Sequence, residues 1–342
     1  MNLFHYLLSY QTIGTVNSLV KKNKSNEELF ALTVEQKSVA EKFIQEARQE
    51  VPNFYDEGEC EIIYAPINDG EIRIFHHKPK KSQTKRPIVF FPGFGTTPWT
   101  WRDFAVPLHQ IGEYYFLETR EKRSSKLRRG CKTKISIDQM AKDVGETIKF
   151  LGLKNKDYVL MSASFAGGTL MHGLMKKYYN PPTSVVLDPF PKFIHNKVMV
   201  GLFFGLTPPF ILEFVKLLLM KIVIRGMKNE SQKERIRNLV DGAVAWKWRK
   251  GLIHNLNFDM YPHFHKIENE VFQFHGPKDK FHPGEIYLKV AKSLPKGRLF
   301  YINTKEDERE ILTGAIGKEF TKVTKDDGLP KFFEQFEIKL EK

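Results

Sequence analysis

Cysteine is scarce: Cys60 and Cys131 are the only two in 342 residues, far apart and without partners at metal-ligand spacing. That scarcity argues against a disulfide framework and a thiolate metal site, and fits a reducing, cytoplasmic compartment. Long unbroken apolar runs are also missing. The most apolar stretch, Val198 to Ile224, is interrupted by Pro208-Pro209 and carries Glu213, Lys216 and Lys221, each costly in hydrocarbon, so it reads as two helices rather than a membrane span. The glycines of the 92–97 loop are too few for a dinucleotide fingerprint and no Gly-Lys-Ser/Thr follows them, so no phosphate-bearing cofactor is expected. His76-His77 and His263-Phe264-His265 lack further ligands, and no metal is expected. The apolar N-terminus has no basic leader or small-residue cleavage site, which predicts no export signal. No internal repeat is present.

What the chain does have is a large apolar complement, 41% hydrophobic with 28 phenylalanines, enough for a sheet covered on both faces. Its formal charge of +14 predicts attraction to anionic surfaces, an acidic membrane surface among them. The densest basic run, Arg120 to Lys134, has no interleaved aromatics and no accompanying zinc-finger, basic-zipper or RNA-recognition pattern. It is expected to be a solvated loop, and no specific nucleic-acid partner is expected.

Leu3, Phe4, Leu7 and Leu8, then Val16, Leu19 and Val20, fall at helical spacing and predict an amphipathic arm, a docking or membrane-surface helix. Residues 33–51 read as a second helix. Glu59 to Tyr64 and Glu71 to His77 read as strands joined through Asn68-Asp69-Gly70. From Pro87 onward, short continuous apolar runs at 87–91, 114–118, 158–162, 184–188, 270–276 and 298–303 alternate with helical segments. Runs without polar alternation are strands buried on both faces, and helical connections make the sheet parallel. The expected class is α/β, a mostly parallel sheet with helices on both faces and a helical lid. The divisions are 1–55 for the arm, 56–189 and 266–342 for the two parts of the core, and 190–265 for the insert.

At Ser162-Ala163-Ser164-Phe165-Ala166-Gly167-Gly168 a strand runs into a helix. In so tight a turn the residues two before and two after the central one must be small, as Ser162 and Ala166 are. With PIVFFPGFGTTPWTW (87–101) before it, this segment resembles the nucleophile elbow of the α/β-hydrolase superfamily, although the strict G-x-S-x-G form is absent. Glu118, Arg120 and Ser124 stand where the family has D-x-R-G-x-G-x-S, and residues 136–153 resemble its pre-elbow helix. The resemblance covers roughly 59–190 and resumes at 268. It implies Ser164 as nucleophile and the Phe94 and Phe165 amides as oxyanion donors. It places Asp279, in G-x-x-D-x-x-x-P, as the orienting acid, with Asp188 as a rival.

At the last position the resemblance fails. After RLFYINT the family supplies its histidine, whereas this chain reads Lys305-Glu306-Asp307-Glu308-Arg309, with no histidine beyond His282. A serine without an imidazole has no base of suitable pKa. His282 is the nearest substitute in sequence; His195, His254, His263, His265, Glu306 and Asp307 are further candidates. Two functions remain open: a serine hydrolase or acyltransferase for an apolar ester, thioester or lipid-like acyl substrate, and a binding or scaffold protein that kept the fold without turnover.

Overall fold

The structure, a computed structural model, describes residues 29–51, 59–109, 111–193, 196–225, 230–276 and 284–340. The predicted N-terminal amphipathic arm lies outside the described residues, as do Asp279, His282 and His195.

Helix α1 (Val34–Ala47) starts at a capping box between Thr33 and Gln36. Strands β1 (Glu61–Ile67) and β2 (Gly70–His77) pair antiparallel, and the turn between them holds Asp69 at φ 67°, the left-handed geometry that Asn-Asp-Gly sequences favour. There follow β3 (Ile88–Phe91), helical turns over 98–108, β4 (Tyr114–Leu117), the short β5 (Lys126–Leu127), α2 (Ile137–Phe150), β6 (Val159–Ala163), α3 (Phe165–Met175) and β7 (Thr183–Leu187). The insert then contributes α4 (Lys197–Leu206), α5 (Pro209–Arg225), α6 (Glu230–Gly242), α7 (Ala245–His254) and a 3-10 turn at Tyr261–Lys266. The chain returns to the sheet with β8 (Val271–His275), α8 (Gly284–Ser293), β9 (Gly297–Tyr301), α9 (Arg309–Lys322) and β10 (Glu337–Ile338).

The strand order is β1-β2-β4-β3-β6-β7-β8-β9-β10, with β5 attached to β2. Pairing is parallel from β4 through β9 and antiparallel towards the edges, where β1, β2 and β10 lie. Period-two alternation splits each central run between two cores. Ile88 and Phe90 join Met161, Phe274 and the helices α1 and α9 on one side, while Val89 and Phe91 join Leu160, Val186 and the helices α2 and α3 on the other. Both faces being covered is why the runs lack polar residues.

The expectation of a solvated basic loop at 120–134 is overturned at its N-terminal end. Arg120 and Lys122 are fully buried. Arg120 donates to both oxygens of Asp143 on α2 at 2.5 and 2.8 Å, to Lys134 O at 2.5 Å and to Asn68 O at 3.2 Å, tying the β1–β2 turn to α2. Lys122 donates to Glu121 at 2.5 Å and to Gly93 O at 2.9 Å. Arg120 is neutralised by Asp143 from a distant segment and Lys122 by its neighbour Glu121, while carbonyls from other segments accept their remaining N–H groups. The run's later part, Arg128 to Lys132, is partly or fully exposed as expected.

Candidate functional site

The parallel strands end together at one edge of the sheet, and β6 delivers Ser164 there. Its backbone sits at φ 56°, ψ −127° and its side chain does not cap the following helix. Such a conformation is costly for any residue with a Cβ and persists only where the surroundings impose it. Here Ser164 N–H extends the ladder to Leu187 O at 2.9 Å, and Gly167 N–H returns to Ser164 O at 2.8 Å. Ser162 and Ala166 are both buried, as the tightness of the turn requires. A Cβ at Gly168 would stand 2.4 Å from Phe190 O, so glycine at that position lets the chain leaving β7 cross the helix. Ser164→Gly is expected to raise stability by about 1 kcal/mol, because glycine accepts this geometry without steric cost. Unchanged or lower stability in urea unfolding would mean that the elbow is relaxed.

The loop after β3 faces this turn. Gly95 has φ 74° and a Cβ there would lie 2.3 Å from the Trp248 ring of α7, so the position accepts only glycine. Glu121 accepts the Gly95 N–H at 3.1 Å while Lys122 holds Gly93 O. This buried pair thus fixes the loop on both sides of Phe94. Burial pushes the Glu121 carboxyl up, but the adjacent Lys122 ammonium outweighs it and leaves the group below the usual carboxylate range. Lys247 of α7 ties the insert to the same segment through Lys122 O and Ser125 O, and burial pushes its ammonium down to about 8. The Phe94 and Phe165 amides have no acceptor among the described residues. Their rings meet edge to face, with centroids 5.2 Å apart.

Ser164 opens onto a cavity of about 370 Å³ whose walls include Phe94, Trp101, Phe165, Phe190, Leu239 and Leu252. The last two come from α6 and α7 of the insert. The volume lies within the roughly 300–1,000 Å³ of small-molecule sites. Three charged residues border it: Asp188, Arg309 and Glu310.

Asp188 follows β7 and is 2% exposed. Arg309 forms an ion pair with it, Nε lying 2.7 Å from Oδ2, and Tyr287 of α8 donates its hydroxyl to Oδ1. Arg309 is the residue that sequence reasoning missed. It sits at the start of α9, beyond the last central strand, and was hidden in a charged run whose preceding members, Lys305 and Asp307, are exposed. Its only sequence signal was its place after β9. A guanidinium stays protonated throughout the physiological range and cannot take a proton from a hydroxyl.

No imidazole lines the cavity among the described residues. His254 accepts the Ile135 N–H at 3.0 Å, His76 pairs with Glu113 at 2.9 Å, and His263 and His265 lie in the 3-10 turn beside α3. Glu118, at the family's loop position, is bonded to Arg73 at 2.5 Å instead of facing Ser164.

No protein-family model and no curated protein matches this sequence. Solved structures do. The chain is similar to a thermophilic esterase from Thermogutta terrifontis, with a TM-score of 0.57 and 15% identity over 78% of this chain and 100% of that one. It is also similar to an esterase from Exiguobacterium antarcticum, with a TM-score of 0.60 and 18% identity over 76% and 99% of the two chains. A membrane phospholipase A, described as a bacterial virulence factor, matches at a TM-score of 0.54 and 14% identity over 92% and 99%. At these identities the likeness is one of architecture, and the chain has the α/β-hydrolase fold.

Proposed function

We propose that the protein binds a neutral apolar acyl compound, an ester, thioester or lipid-like molecule, in the cavity over Ser164 and does not turn it over. The acyl oxygen is received by the Phe94 and Phe165 amides, and the chain lies against the aromatic and aliphatic walls. The single observation carrying this reading is the Arg309–Asp188 ion pair at 2.7 Å, which borders the same cavity as Ser164. Arg309 and Asp188 cancel in charge, so a neutral ligand suits the site better than a carboxylate.

A second reading, a serine hydrolase or acyltransferase working through Ser164, is favoured by the strained backbone at φ 56°, a kind of strain that clusters at functional sites. An alkyl fluorophosphonate separates the two. The binding reading expects no Ser164-dependent labelling at neutral pH, the wild type and Ser164→Ala reacting alike. Rapid labelling that disappears in Ser164→Ala would establish an activated nucleophile and end the binding reading.

A further inference from the structure

Helices α4 and α5 are built the wrong way round for a water-soluble surface. Along α4, Val198, Leu202 and Leu206 fall on one stripe at i, i+4, i+8 and are 57–78% exposed. Along α5, Phe210 and Phe214 are 75% and 71% exposed, with Leu217 and Leu218 continuing the stripe. Of thirteen exposed large hydrophobic residues among those described, eight lie between 198 and 218. Scattered single exposures would need no explanation; a concentration of this kind does.

Glu213 and Lys216 of α5 point the other way. Lys216 donates to Ala243 O at 2.8 Å, and Glu213 accepts the Ala245 N–H at 2.8 Å, fastening the helix to the α6–α7 junction by its hydrophilic side. Arg249 of α7 donates to Phe204 O and Gly205 O, both at 2.5 Å, and so fixes the end of α4 before the Pro208 turn. The outward apolar face is therefore held in place by specific bonds. No single described helix is long and apolar enough to cross a membrane, and α4 and α5 are bent by 115° relative to each other.

We infer that the outer face of α4 and α5 is a docking surface for an anionic phospholipid bilayer, with the Val, Leu and Phe stripe entering the acyl boundary. Charge complementarity selects this occupant. Exposed Lys197, Lys221 and Arg225 flank the stripe at its ends, and the only acid in the two helices, Glu213, is held by Lys216 and the Ala245 amide. The whole chain carries +14, and cations beside an apolar helix face suit lipid phosphates. Of the residues that protein interfaces concentrate, the stripe contains Phe but no Trp, Tyr, Met or Arg. This docking is independent of what the cavity over Ser164 holds.

The test is flotation of the full chain with phosphatidylcholine vesicles containing phosphatidylserine, against pure phosphatidylcholine. Wild type is expected to float with the anionic vesicles and to be released as salt rises. Phe210→Ser and Phe214→Ser are each expected to weaken binding about tenfold, and Lys221→Glu with Arg225→Glu to remove the preference for the anionic lipid. Phe150→Ser, an exposed apolar residue on α2, is expected to bind as wild type does, and all variants to keep the wild-type melting temperature. Absence of wild-type flotation at low salt, or equal binding by the Phe210 and Phe214 variants, overturns the inference. So does a dimer in sedimentation velocity that Phe210→Ser dissociates while flotation is absent, which would assign the stripe to a second copy.

Discussion

Arg309→Leu is expected to lower stability by about 3 kcal/mol at neutral pH, because it strands a carboxylate that is 2% exposed without its cation. Tyr287 alone cannot offset that burial. Urea unfolding at neutral pH measures the difference from wild type. Adding Asp188→Asn should recover most of the loss, since removing both charges is far less damaging than removing one. Fluorophosphonate reactivity should not change in Arg309→Leu. If it falls while the fold survives, Arg309 positions a reacting group, and the view of the pair as a closed structural unit is wrong.

Arg120→Leu is expected to cost about 4 kcal/mol. Its guanidinium is fully buried and bonded to both Asp143 oxygens, two carbonyls and Asp69, so its loss frees acceptors on three segments at once. Arg120→Leu with Asp143→Leu should be less damaging than the single change, because the stranded carboxylate is gone as well. A single variant whose urea midpoint matches that of wild type would mean that water reaches the pair and screens it.

Much of the architecture was legible in the residues. Strands buried on both faces carry continuous apolar runs, so β3, β6 and β7 were visible without any partner, to within a residue at each end. The elbow was legible for a related reason: the turn at Ser164 tolerates only small neighbours, and Ser162, Ala166 and Gly168 meet that condition locally. Arg120 and Lys122 were misread because a charge is priced by its partner. Asp143 lies on another helix, and Gly93 belongs to a loop after a different strand. The candidate bases fared similarly. His254 looked available, yet it is engaged by Ile135, 119 residues away in sequence.

The sequence by itself determined the alternating α/β order, the sharp turn that lifts Ser164 out of β6, and the absence of a histidine after the last central strand, since each is written in residues adjacent along the chain. Only the tertiary structure decided that Arg309 closes on Asp188, that Glu121 and Lys122 brace the loop around Phe94, and that Glu213 and Lys216 fasten α5 from its inner side. Those outcomes depend on which distant groups meet and on how much water remains between them, and neither is encoded in local order.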